Sequence, residues 1–141
     1  MKLTLDDALK ILTAAGDFAD RQKLKPLAIG VLDARGALKA FVAQDGTSLK
    51  RGEIALAKAS GALGLGVGSR ALMQRAEQQP YFIAAATSAM GGALVPVPGG
   101  VLIKSGAEII GAVGISGDTS DNDEAAALAG IAAAGFTGDP G

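Results

Sequence analysis

Two β-hairpin patterns with helical segments around them restrict this chain to a narrow range of folds. In the first, apolar runs over residues 27–33 and 37–43 flank the turn Asp33–Gly36. In the second, runs over residues 101–104 and 109–116 flank a Ser-Gly turn. Because each hairpin pairs its two strands in opposite directions, the sequence predicts a single antiparallel sheet covered by helices, which is an α+β fold.

Four helical segments surround the hairpins. They are predicted over residues 4–23, 48 to about 61–65, 69–79 and 123–134. The expected N-caps are Thr4, Ser48, Ser69, and either Asp121 or Asn122. The element order is therefore α-β-β-α-α-β-β-α, and because no linker interrupts residues 1–141, the sequence predicts a single domain. Glycine and proline punctuate residues 81–100, so this stretch is expected to be irregular. Gly135 is expected to end the last helix, and residues 138–141 are expected to form a loose tail.

The composition excludes several classes of partner. Hydrophobic residues make up 49% of the 141 residues and charged ones only 19%, which predicts that some apolar surface is buried between copies of the chain. The net charge is −1 and no basic patch is present, so nucleic acid and anionic membranes are not expected partners. The N-terminus does not resemble a signal peptide and no apolar run could span a bilayer, which favours a cytoplasmic protein.

The chain contains neither cysteine nor histidine. This excludes disulfides, thiol catalysis, a Ser-His-Asp triad and the metal sites that depend on these two residue types. The side chain most often used in acid–base catalysis and metal binding is therefore absent.

Lys58 is the residue with the most distinctive sequence environment. Its helical neighbours at three and four positions are all uncharged: Ile54, Ala55, Gly61 and Ala62. An amine on such an apolar stripe is expected to point into a pocket, where desolvation would lower its pKa and make it a base or a Schiff-base nucleophile. The alternative is a lysine that lays its stem on the surface and keeps its amine in water.

Two loop segments are further candidates for ligand contact. Pro98-Gly99-Gly100 precedes a strand, and its glycine N–H groups could hold an anion, although a tight turn would also explain the glycines. The loop from Ser116 to Glu124 ends at a helix and carries four acids, which disfavours phosphate. Its spacing lacks the glycine of an EF-hand, so no metal site is predicted, and helix capping is the alternative role.

These considerations define a predicted site. The predicted ligand-binding residues are Lys58, Pro98, Gly99, Gly100, Ser116, Asp118 and Asp123. Glu124 and Asp118 are the candidate acidic partners of Lys58, which they would meet across a subunit interface.

Three segments, taken in order, resemble one known family. They are Asp33–Gly36 with Leu38, Phe41 and Asp45-Gly46; Ile54–Ala59; and Pro98–Lys104, continuing through Gly111–Gly117 to Asp123-Glu124. Together they extend over nearly the whole chain, which resembles the GlcG/HbpS family, including the C-terminal domain of PduO-type proteins.

The resemblance implies a profilin-like or PAS-like arrangement of helices on an antiparallel sheet, and assembly into dimers up to octamers. It also implies haem binding, or a link to haem or corrinoid chemistry, in some members, and small-acid metabolism near others. A histidine is sometimes the proposed haem ligand in this family. Because this chain has none, a haem here would use Lys58, Met73, Tyr81 or Met90, or no side-chain ligand.

Three functions follow from the sequence. The first is a protein that binds a haem, another tetrapyrrole or a small organic acid in a pocket near an oligomer interface. The second is a lyase or isomerase acting on a small carbonyl or hydroxy acid, with Lys58 as base and Glu124 or Asp118 as acid. The third is a structural protein that assembles without a ligand.

Overall fold

The computed structural model describes all residues from Met1 to Gly141. The chain forms five helices and five strands. They are α1 (Leu5–Arg21), β1 (Ala28–Asp33), β2 (Leu38–Ala43), α2 (Arg51–Leu65), α3 (Ser69–Gln78), α4 (Pro80–Ala89), β3 (Gly100–Ser105), β4 (Glu108–Ser116), α5 (Ser120–Ala133) and β5 (Thr137–Asp139). The predicted order α-β-β-α-α-β-β-α is present, with α4 and β5 as additions.

One five-stranded sheet forms the centre of the fold, in the order β2-β1-β4-β3-β5. Every neighbouring pair is antiparallel, which confirms the predicted single antiparallel sheet. The β1–β4 register pairs Ala28 with Ser116 and Asp33 with Gly111. Ser116 therefore lies at one end of the sheet and the β1–β2 turn at the other.

Helices cover both faces of the sheet. Helices α1 and α5 pack on one face, where Ile29, Val31 and Val113 belong to the main core. Helix α2 packs on the other, against Leu32, Leu102 and Ala112. Successive side chains along a strand point to opposite faces of the sheet. Because helices cover both faces, the central strands are apolar on both sides.

A row of glycines lets α2 approach the sheet closely. Gly30, Gly114 and Gly100 lie side by side on β1, β4 and β3. A Cβ atom on Gly114 would overlap the carbonyl oxygen of Ala55, and one on Gly100 would overlap the carbonyl of Lys58. The small residues of α2 therefore meet a groove that only glycine can provide.

The predictions for two segments were wrong. Residues 80–89 form a regular helix, because Pro80 occupies its first position and no further glycine or proline follows before Gly91. The first two residues of the expected loose tail, 138 and 139, belong to β5, which pairs with β3. The Nζ of Lys104 on β3 donates to Asp139 at 2.6 Å and fastens this short strand.

Of the four predicted helix N-caps, one is confirmed. Thr4 caps α1 and forms a reciprocal capping box with Asp7. Helix α5 begins at Ser120 with Thr119 as its N-cap, instead of Asp121 or Asn122, because the Thr119 hydroxyl reaches the Asn122 N–H. The N-caps of α2 and α3 are Lys50 and Gly68, and neither makes a side-chain capping bond.

None of the helices combines the length and apolar character needed to cross a bilayer.

Candidate functional site

The predicted site residues converge at one end of the sheet. There β4 ends at Ser116, β3 begins at Gly100, and α5 begins a few residues later. Helix α2 crosses the same end and supplies Lys58 from its middle. We use the term Lys58 cluster for the residues gathered here: Lys58, Pro98, Gly99, Gly100, Ser116, Asp118 and Asp123.

The amine of Lys58 lies at the centre of the cluster, and its side chain is only 2% exposed. It donates to the carbonyl oxygen of Ile115 at 2.9 Å and to Oδ2 of Asp123 at 3.1 Å. The other oxygen of Asp123 accepts the Asp118 N–H at 3.0 Å. The salt-bridge partner that Lys58 lacks on its own helix is thus supplied by the first turn of α5.

Burial makes both charges of this pair costly. It lowers the pKa of Lys58, while the charge of Asp123 partly offsets the effect. Burial also raises the pKa of Asp123, opposed by the charge of Lys58. Each ionised group therefore depends on the other, and the hydrogen bonds around them satisfy the remaining polar atoms.

The Pro98-Gly99-Gly100 segment packs against Lys58. Gly99 has a φ of +124°, and a Cβ there would lie 2.8 Å from the Lys58 Nζ. The N–H of Gly100 donates to the buried hydroxyl of Ser69 at 2.7 Å, so it is not available to a ligand. The structure thus gives these glycines a packing role beside the lysine.

The two candidate acids have other partners within the protomer. Asp118 accepts hydrogen bonds from the Asn122 side chain and from the N–H groups of Lys25 and Thr119, which lower its pKa to about 2. Glu124 instead pairs with Arg70 at 2.9 Å. Asp123, which the sequence placed among ligand contacts, is the acid that contacts Lys58.

Arg51 also belongs to this region, although it was not among the residues predicted from the sequence. It is half-buried in the first turn of α2, and its Nη1 donates to the Ser116 hydroxyl at 3.1 Å. It forms no salt bridge, unlike Lys58 and Arg70. It precedes Lys58 by seven residues, or two helical turns, and this spacing on one helix face was the available signal.

Two exposed apolar side chains flank the first turn of α2, which carries Arg51. Leu49, two residues earlier, is 91% exposed. The ring of Phe41 is 41% exposed and lies next to Gly52, where a Cβ would be 3.0 Å from its Cζ. We call Phe41, Leu49 and Arg51 the Arg51 surface: a half-buried cation next to exposed apolar groups.

No open cavity reaches the Lys58 cluster, because none of its residues lines any of the four cavities in the protomer. Among the side chains considered as haem ligands, only Met90 lines a cavity, of about 320 Å³, together with Arg35 and Leu63. Lys58 is occupied by Asp123 and Ile115, and Tyr81 is 71% exposed.

Comparison with known proteins assigns the chain to a family. A family model described as haem degrading protein HbpS-like matches residues 3–132. The solved structure of a PduOC–haem complex is 25% identical, with a TM-score of 0.87 over 96% of this chain and 97% of that chain. The HbpS structure is 26% identical, with a TM-score of 0.81 over 94% and 89% of the two chains.

A further solved structure shares the fold of this chain. Klebsiella pneumoniae protein ORFY has a TM-score of 0.87 over 96% of this chain and 92% of that chain, and its 22% identity supports the shared fold alone. A search of curated protein sequences found no match. Since the family model extends over nearly the whole length, the chain belongs to the HbpS-like family.

Proposed function

We propose that this protein binds a small molecule that carries a carboxylate, either a tetrapyrrole such as haem or a small organic acid, at the Arg51 surface. The observation that supports this function is the guanidinium of Arg51. It is half-buried and held by Ser116, but it has no carboxylate partner. A ligand carboxylate would supply the missing charge and form charge-assisted hydrogen bonds.

The Lys58 cluster gives this surface a rigid base. Ser116, which holds Arg51, follows Ile115, whose carbonyl accepts from Lys58. The buried pair of Lys58 and Asp123 therefore fixes the end of β4 and, through it, the Arg51 side chain. A guanidinium held in advance loses less entropy when a ligand binds.

The apolar part of the Arg51 surface suits two partners. One is the hydrophobic body of a ligand, and the other is a second copy of the chain. Phe41 and Leu49 expose large apolar side chains at the first turn of α2, which carries Arg51. Strand β2, which carries Phe41, is at the edge of the sheet, and its outer side has no neighbouring strand. We place the ligand between copies that meet at this edge, in agreement with the assembly that the family resemblance implies.

The fit to haem is partial. The apolar groups and Arg51 suit the porphyrin plane and a propionate, but no side chain suited to ligating iron belongs to the Arg51 surface. Lys58 is enclosed, and Met90 contacts Gly64 near the other end of α2, about 20 Å away along the helix. The proposal therefore requires recognition of the porphyrin body and its carboxylates, without iron ligation by this surface.

Native mass spectrometry and three titrations test the proposal. Native mass spectrometry first identifies any molecule retained by the purified protein and the number of subunits. The protein is then titrated with haem, with metal-free protoporphyrin IX and with glycolate, followed by absorption for the porphyrins and by the melting temperature for the acid. We expect haem and protoporphyrin to bind with similar affinity, or glycolate alone to raise the melting temperature.

The variant Arg51→Gln should lower the affinity for the ligand by about tenfold or more, since a hydrogen bond to a charged group contributes about 1.5–3 kcal/mol. Arg21→Gln, an exposed arginine on α1 without a salt bridge, is the control with the same charge change. Unchanged affinity in Arg51→Gln would exclude this surface. Binding of haem but not of protoporphyrin would instead favour iron ligation at Met90.

The contacts of Lys58 favour binding over the lyase or isomerase alternative. A base or Schiff-base lysine needs space for substrate at its Nζ, and here Asp123 and Ile115 occupy that atom. The lowered pKa of Lys58 is the one observation in favour of catalysis. Borohydride trapping of a carbonyl substrate on Lys58, absent in Lys58→Met, is the result that would reverse this preference.

A further inference from the structure

We propose that the largest cavity of the protein is a second ligand site, which binds a small organic dianion. The cavity has a volume of about 480 Å³ and lies between the N-terminal segment, the β1–β2 turn and β4. Asp33 marks this end of the sheet, whereas Ala28, paired with Ser116, marks the end with the Lys58 cluster. The length of β1 separates the two ends by about 17 Å.

The charge of the cavity wall is strongly positive. Lys2, Arg35 and Lys39 line it, and Asp33 is the only carboxylate among its lining residues. Met1 also lines it, and the amino group of this residue is paired with Glu108 at 3.0 Å. Three cationic side chains against one carboxylate leave a net charge of +2, which matches a dianion.

The carboxylate of Asp33 does not neutralise the lysines. Its Oδ1 accepts the N–H groups of Arg35 at 2.9 Å and Ala37 at 3.0 Å. Its Oδ2 lies 3.2 Å from the Arg35 guanidinium. Lys2 and Lys39 form no salt bridge in the protomer, so their charges are available to a ligand.

The same contacts give the site a fixed frame. The two N–H bonds to Asp33 hold the β1–β2 turn in one conformation, while the Arg35 side chain is 83% exposed. An ion pair this exposed contributes little, so Arg35 can turn toward a bound anion at low cost. The backbone is thus fixed and the guanidinium is adjustable.

The interior of the cavity is apolar. Leu3 and Ile110 form part of its lining and are 4% and 1% exposed. A volume of about 480 Å³ is within the range of small-molecule sites, about 300–1,000 Å³. An apolar interior below a cationic rim selects a molecule with a hydrophobic body and two acidic groups, which points to an aromatic or short aliphatic dicarboxylate.

The probe for this site is phthalate, with benzoate as the matched monoanion and inorganic phosphate as a dianion without an apolar body. The full chain, labelled with ¹⁵N, is titrated and its amide shifts are followed by NMR. We expect saturable shifts at Leu3, Arg35 and Ile110 with phthalate, and affinities at least about threefold weaker for benzoate and for phosphate. Equal binding of benzoate, or no saturation with phthalate, would overturn the proposal.

Single variants locate the site. Lys39→Gln and Lys2→Gln should each lower the affinity for phthalate about threefold, which is the effect expected from the loss of one partly exposed charge contact. Lys23→Gln is the control, because Lys23 is an exposed lysine without a salt bridge and lies outside the cavity. Equal weakening in all three variants would indicate non-specific attraction and refute the site. Arg51→Gln should leave phthalate binding at these amides unchanged, which separates this test from that of the proposed function.

Discussion

The Nζ of Lys58 lies 3.1 Å from Oδ2 of Asp123, and both side chains are only 2% exposed. Lys58 belongs to α2, on one face of the sheet, and Asp123 to α5, on the other. The pair therefore connects the two helical layers around the end of the sheet. Since burial disfavours both charges, removal of one partner leaves the other without compensation.

Lys58→Met should destabilise the protein by about 3–5 kcal/mol, the cost typical of an unpaired buried charge. The loss should appear as a lower midpoint of urea unfolding, with the slope of the transition unchanged. The control is Lys50→Met, because Lys50 pairs with Glu53 on the surface, where such a pair contributes at most about 1 kcal/mol.

A second variant separates the charge from the packing. In Lys58→Met/Asp123→Asn no buried charge remains, and the amide oxygen of asparagine can still accept the Asp118 N–H. The double variant should be more stable than Lys58→Met alone. If instead it is less stable, the cost of Lys58→Met comes from lost packing and the buried charge of Asp123 is not its cause.

This pair also shows where sequence reasoning ends. The stripe of small residues around Lys58 predicted an amine in a pocket; the side chain is buried, but its amine contacts Asp123 and Ile115 and no cavity of the protomer reaches it. Its partner lies 65 residues further along the chain, and three other acids stand in the same loop region. The choice of Asp123 over Asp118 or Glu124 depends on the direction in which α5 leaves the sheet, which no local pattern contains.

Gly114→Ala should destabilise the protein strongly, by about 3 kcal/mol or more, because the new Cβ would overlap the backbone of α2 at Ala55. A backbone atom cannot turn aside as a flexible side chain can. Gly16→Ala is the control: in α1 the new methyl would be 3.7 Å from the Gln44 amide, and alanine in mid-helix should stabilise by about 0.5–1 kcal/mol. Thermal unfolding of both variants measures the difference, and a neutral Gly114→Ala would mean that α2 can shift away from the sheet.

The glycine row illustrates what was and was not predictable in the fold. A glycine inside a strand is often a sign of close backbone approach, and Gly114 provides such an approach for α2. The alignment of three such glycines depends on the register of three strands, which the sequence does not reveal one strand at a time. Similarly, glycines and prolines beyond residue 90 led to the wrong prediction for α4, although residues 81–89 contain neither.

Acid should destabilise the protein in part through Asp118. Its pKa is about 2 when folded against 3.8 for an ordinary aspartate, so the unfolded chain takes up the proton first as the pH falls. The stability that Asp118 contributes is complete above pH 3.8 and is lost as the pH falls through 2. Asp118→Asn should therefore be less stable than the unmodified protein at pH 7 and lose less stability between pH 4 and 2.

Urea unfolding at pH 7, 4, 3 and 2 compares the two proteins. The dependence should become shallower in Asp118→Asn without vanishing, because the pKa values of Asp33 and Asp139 are also lowered in the fold. Curves that remain parallel over the whole range would show that Asp118 has the same pKa in the folded and unfolded chains.

Strand β5 should depend on the pair formed by Lys104 and Asp139. The strand has three residues, and this contact of 2.6 Å joins its last residue to β3. The two side chains are 29% and 37% exposed, so the pair should contribute about 0.5–1 kcal/mol, and Asp139→Asn should accelerate amide exchange in residues 137–139 by about two- to fivefold. Asp6→Asn, which breaks an exposed pair on α1, is the control and should leave these amides unchanged. Unchanged exchange in Asp139→Asn would mean that backbone pairing with β3, together with the packing of Gly138 against Leu128, is sufficient to hold the strand.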